Sequence, residues 1–199
     1  MSRDGSVSPG FLFVIVGFAL ACRTSPVARS GSSAASDADD YAIYGEVIDS
    51  LLLRRQPLSI AVIDTTTLNP PLGLQASGPL GRMLDSSAPG LRDALGRAVQ
   101  TPVPLRRAFS IPGSVTMISR SAAMEQLRGA GSSGDPGSVA SEAGYVAFSA
   151  IGFSPDGQSA AVYVEYHCGG LCGGAYVVVL ARKPERSWRI QQVHTRLRF

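Results

Sequence analysis

The sequence predicts an α+β domain: a helix near the start, packed on a four-stranded antiparallel meander that ends the chain. Three observations carry this. Tyr41, Tyr44, Val47 or Ile48, Leu51 and Leu52 recur at three- and four-residue steps and make one apolar stripe. From Tyr145 onward, runs rich in β-branched and aromatic residues alternate with short turns. The 199 residues are 45% hydrophobic and 17% charged, which suits one folded domain with a sizeable core.

The first ten residues are polar, with Arg3 the only basic side chain, and Phe11–Ala21 is an apolar run of eleven. That is too short to span a bilayer, which takes about 20 apolar residues, and fits the core of an export signal, about 7–15 residues long. Ala19-Leu20-Ala21 has the small-x-small pattern of a cleavage site, so residues 1–21 are expected to be a signal peptide. Residues 22–38 are small, polar and non-periodic and read as a flexible tether. The fold proper is expected over residues 39–199.

Asp40 to Arg55 reads as the first helix. Aspartates 37, 39 and 40 at its start and Arg54-Arg55 at its end suit the helix dipole, and Pro57 stops it. Leu58–Asp64 reads as a strand, so continuously apolar that both faces should be covered. Residues 66–90 hold four prolines and four glycines and are expected to be irregular. Leu91, Leu95, Ala98 and Val99 mark a second helix. Gly113–Ser119 reads as a short strand, Ser121–Arg128 as a helix with Ala122, Met124 and Leu127 inward, and residues 129–144 as a loop.

The meander strands are expected at 145–153, 159–167, 174–182 and 187–196. Their connections are Ser154-Pro-Asp-Gly157, a cysteine-bearing tip and Lys183-Pro-Glu-Arg186, and connections this short make successive strands antiparallel neighbours. Tyr163 and Glu165 alternate with Val162 and Val164 across the sheet. Trp188, Tyr163, Tyr166 and Tyr176 read as sheet packing.

Three cysteines in an exported chain leave one over. Cys168 and Cys172, in Cys-Gly-Gly-Leu-Cys-Gly-Gly, fit a structural disulfide, a labile redox-sensitive disulfide or a metal half-site. The structural bond is favoured: the spacing is not that of a reactive pair, and His167 is the only obvious neighbouring ligand. Glu165, His167 and Asp64 form the one acid/base set that suggests itself. No nucleophile elbow, His-Glu-x-x-His, Walker loop or dinucleotide glycine fingerprint occurs, and no metal or cofactor is expected. The net charge is +3, and apart from Arg54-Arg55 and Arg106-Arg107 the basic residues look scattered, which argues against nucleic acid as a partner.

Ala19-Leu20-Ala21-Cys22 resembles the lipobox of bacterial lipoproteins, with Leu20 one place later than that pattern prefers. The resemblance implies acylation of Cys22 and attachment to the envelope membrane; ordinary cleavage after Ala21 would leave a free Cys22. Phe153-Ser-Pro-Asp-Gly157 before an apolar strand is similar to blades of TolB-type β-propellers, but a propeller repeats the unit and here it occurs once. The cysteine hairpin and Trp188 make the last quarter resemble the end of uncharacterised exported bacterial proteins, which brings no activity with it. A meander behind a helix also resembles cystatin-like and NTF2-like domains, which serve as binding modules and enzymes alike. The expectation is a lipid-anchored envelope protein acting as a binding or structural module on an unknown envelope partner or ligand. The alternatives are a secreted hydrolase using Glu165 and His167, and a redox switch at Cys168 and Cys172.

Overall fold

The computed structural model describes residues 33–52, 60–66, 73–74, 78–111, 113–132, 145–167 and 173–198. Among these residues a mixed sheet of seven strands has one helix on one face and three on the other. The α+β class and the helix packed on the sheet are as the sequence predicts.

The first helix, α1 (Ser33–Val47), starts before the predicted Asp40. Residues 33–38, expected as tether, are its first turns; Ala34, Ala35 and Ala38 have high helix propensity. It runs on as a π-helical segment, Ile48–Leu52. Ile43, Tyr44, Val47 and Ile48 are buried, while Tyr41 and Leu51 flank them half-buried. The stripe is thus shifted toward Ile43. The predicted end at Arg55 lies outside the described residues.

Strand β1 (Ile60–Ile63) is buried along its whole length, as its continuous apolar run requires. Ile60 and Val62 join the cluster under α1, whereas Ala61 and Ile63 face the other side. It pairs in parallel with β2 (Val115–Ile118) and with β3 (Tyr145–Phe148). From β3 the sheet continues antiparallel through β5 (Ser159–His167), β6 (Gly173–Arg182) and β7 (Trp188–Arg198). The predicted meander is therefore one half of a larger mixed sheet. Parallel strands need long crossovers, and here these carry helices, so no short-turn signal links β1 and β2 to the rest.

The predicted strand 145–153 is interrupted. β3 stops at Phe148 and β4 (Gly152–Phe153) pairs with β5 further along. Ser149 bridges the break: its N–H donates to the Tyr163 carbonyl at 2.8 Å, and its hydroxyl accepts from the Tyr163 N–H at 2.9 Å.

Residues 66–90 are not irregular throughout. Helix α2 (Pro79–Ser87) opens with proline in its first turn, which needs no N–H there. Leu80, Leu84 and Ala88 align with Leu91 and Leu95 of α3 (Leu91–Ala98) over β5 and β6. Gly90, at a φ of 75°, makes the corner between the two helices. Helix α4 (Arg120–Ser132) is longer than predicted; among its described side chains Ala123 is the buried one, against Ala61, Ile63, Tyr145 and Ala147, and Leu127, predicted inward, lies outside them. Met124, predicted inward, is 41% exposed. The small Ala123, not the larger Met124, is thus the side chain turned to the sheet, which no hydrophobicity count reveals. Among the described residues no helix is long and apolar enough to cross a membrane.

Candidate functional site

On β5, Tyr163, Glu165 and His167 lie at alternate positions and share one sheet face. The register sets Tyr145 of β3 opposite His167 and Ala147 opposite Glu165. The Tyr145 and His167 rings stack, 4.6 Å between centroids and 21° between planes. The Tyr163 hydroxyl donates to Glu165 Oε1 at 3.0 Å. Burial holds the His167 imidazole below its ordinary range; the Glu165 charge opposes this and Arg120, at the start of α4, reinforces it. Burial raises the Tyr145 phenol, helped by Glu165 and opposed by Arg120. The row therefore offers a neutral imidazole beside a carboxylate held by a tyrosine. Tyr145, Tyr163 and Arg120 were not foreseen in it, because only the strand register brings Tyr145 to His167.

Asp64 is not part of that row. His167 is level with Ala61 across β3, three residues before Asp64 along β1. That is about 10 Å along the strand, with two inter-strand spacings, also about 10 Å, between them. Asp64 instead fixes the chain after β1: its N–H donates to the Ile118 carbonyl at 2.9 Å, and its carbonyl accepts from the Leu105 N–H at 2.8 Å. Thr65 Oγ1 donates to its carboxylate at 3.2 Å. Among the described residues no three His, Cys, Asp or Glu side chains are grouped to hold a metal. Cys22, Cys168 and Cys172 lie outside the described residues, and with them the acylation, disulfide and redox readings.

The bonds at Asp64 help to make a groove. They and the Thr66–Val103 pair, 2.9 and 2.8 Å, hold residues 103–105 beside the end of β1. From there the segment runs along α1, where the Arg106 N–H donates to the Tyr41 hydroxyl. Tyr41 meets Phe109 edge-on with centroids 5.3 Å apart. A concavity of about 450 Å³ opens here, lined by Ala38, Tyr41, Ala42, Arg106, Ala108 and Ser110. A second, of about 230 Å³, shares Tyr41 and Arg106 and reaches Asp40, Tyr44, Leu105 and Ala150. The alanines leave room, Tyr41 offers apolar area, and Arg106 a cation. Sequence reading saw Tyr41 only as helix stripe and Arg106 only as half of a basic pair. Compared with known families, curated proteins and solved structures, the chain matches none.

Proposed function

We propose that this chain is an exported, lipid-anchored protein of the bacterial envelope whose domain is a binding module, with the α1 groove as its ligand surface. The carrying observation is the pair of concavities sharing Tyr41 and Arg106, with alanine walls. Such a surface suits a ligand with an apolar body and an anionic group, since concave sites are mostly apolar with a few placed polar groups. Export and anchoring rest on the apolar run 11–21 and on Cys22. A cystatin-like or NTF2-like architecture is part of this reading, supported by α1 on one face of the antiparallel strands; the parallel pairing of β1 with β2 and β3 lies outside it.

The test uses 8-anilinonaphthalene-1-sulfonate, an apolar anion. It binds the native chain saturably, and Ala42→Trp, which fills the groove from an exposed position, weakens binding at least tenfold without moving the melting temperature. Equal binding by the variant removes the groove as the site. The anchor is tested by the intact mass of protein taken from its own membranes: loss of residues 1–21 with added acyl mass is expected, and cleavage without acyl mass overturns it.

A second reading, a hydrolase, is favoured by Glu165 and His167 sharing one face with a neutral imidazole. It requires an activity of the purified chain that His167→Ala abolishes; an activity the substitution leaves intact removes the assignment.

A further inference from the structure

Arg182-Lys183-Pro184-Glu185-Arg186-Ser187-Trp188-Arg189 puts four cations and one carboxylate in eight residues at the β6–β7 turn. The turn closes with the Arg186 N–H donating to the Lys183 carbonyl at 2.9 Å and the Lys183 N–H to the Ser187 carbonyl at 2.8 Å. This places Arg186 at a φ of 65°, and among the described residues it is the one non-glycine with a positive φ. Glycine or asparagine suits that position, and other side chains are strained there. The turn's own hydrogen bonds hold that φ, and the Arg186 guanidinium makes no hydrogen bond or ion pair among the described residues. It lines instead a concavity of about 480 Å³ whose other walls are Gln158, Arg182, Lys183 and Pro184. Among the described residues no carboxylate lines it. Arg182 is held in place, 2.6 Å from Asp39 of α1 and with its guanidinium 5.4 Å from the Trp188 ring centre. Lys183 reaches Glu185 only at 3.6 Å, in an exposed pair worth little.

We propose that this concavity binds a phosphate-bearing anion. Arg186 and Lys183, with an amide and the Asp39-paired Arg182 beside them around one open volume, suit a tetrahedral anion, and guanidinium is the side chain best shaped for phosphate oxygens. A guanidinium without a hydrogen-bond or ion-pair partner among the described residues is left available to a ligand. The anion has two sources, a soluble phosphate ester or a phospholipid head group. The second rests on the anchor reading, in which an acylated Cys22 holds the chain at a phospholipid surface.

The test uses the full chain with Cys22→Ser, so that no acyl group contributes. Trp188 is the only tryptophan and lies under Arg182, so its fluorescence reports the site. Inorganic phosphate and glycerol 3-phosphate are titrated at constant ionic strength against chloride, with phosphorus-31 line broadening as the direct measure of binding. Vesicles containing phosphatidylglycerol are compared with phosphatidylcholine alone by sedimentation. Saturable binding in one arm or both is expected, the responding arm naming the source. Arg186→Gly weakens that binding about fivefold, the effect of one cation at an anionic surface, while raising the melting temperature by about 2–4 °C through relief of the turn. Lys183→Gln weakens it similarly with no thermal gain. A residue serving only the fold could not lose binding and gain stability together. Absence of saturable binding in both arms, or unchanged affinity in Arg186→Gly, overturns the proposal. Neither result depends on acylation, so it is read separately from the intact mass.

Discussion

Tyr44 lies on the buried side of α1 and sends its hydroxyl 3.1 Å to the Ser149 carbonyl, in the break between β3 and β4. Burial first, and then the charge of Asp40, raise its ionisation far above the ordinary tyrosine range, so it stays a donor at any working pH. Its ring also packs on Phe148, 4.7 Å between centroids. The bond satisfies a carbonyl at the one place where the strand hands over from β3 to β4. Tyr44→Phe keeps the ring and strands that carbonyl without a donor, so the expected loss is about 1–2 kcal/mol. Urea unfolding should show the midpoint falling with an unchanged slope. A change within about 0.3 kcal/mol would mean that the Ser149 carbonyl finds another donor. None of this was legible beforehand: Tyr44 stood out as a stripe residue, but Ser149 had no mark in the sequence, because its importance comes from pairing across 105 positions.

The elements were legible where their signal is local. The β4–β5 hairpin follows from Ser154-Pro-Asp-Gly157: the Asp156 carboxylate accepts from the Ser154 hydroxyl at 2.6 Å and from the Gln158 N–H at 3.0 Å, and Gly157 takes a φ of 67°. The meander pairings follow from such turns. By contrast, α2 was hidden by its glycines and prolines, although Pro79 at the start and the four-residue step from Leu80 to Leu84 do signal a helix. Which side of α4 faces inward was hidden because Ala123, not the larger Met124, is the buried residue. A close backbone approach occurs where α3 meets β4. A Cβ on Gly152 would sit 2.3 Å from the Leu95 nitrogen and 2.5 Å from its Cα, backbone atoms that no rotamer change can move. At Gly157 a Cβ would meet nothing within 4 Å and would pay only for the positive φ. Gly152→Ala is therefore expected to cost about 3 kcal/mol or more, and Gly157→Ala about 1 kcal/mol. Equal losses in urea unfolding would show that α3 yields to the sheet and that its packing there is loose.

At the scale of the molecule, among the described residues α1 packs on one side of the sheet, and α2, α3 and α4 on the other. His167, half-buried at the end of β5, stacks on Tyr145, with Glu165 and Arg120 as the charges that act on it. Its folded-state pKa lies below the ordinary 6.5, burial being the larger cause. A lowered pKa means that between the folded value and 6.5 the unfolded chain binds the proton more readily than the folded one, so stability rises with pH in that window. The contribution is complete above about 6.5 and is lost as pH falls through the window. Asp156 and Glu185 are also lowered, by hydrogen bonds led by the Ser154 hydroxyl and by the Glu185 backbone respectively. Their ordinary values are 3.8 and 4.5, so any loss they cause begins only in more acid solution. The two windows separate. Urea midpoints between pH 8 and 5 should decline below about pH 6.5 in the native chain and stay level in His167→Gln, which keeps a polar side chain but removes the titration. A decline of equal size in the variant would place the acid sensitivity elsewhere and leave His167 without a part in it. A level profile in both would mean that protonating His167 costs the fold nothing measurable.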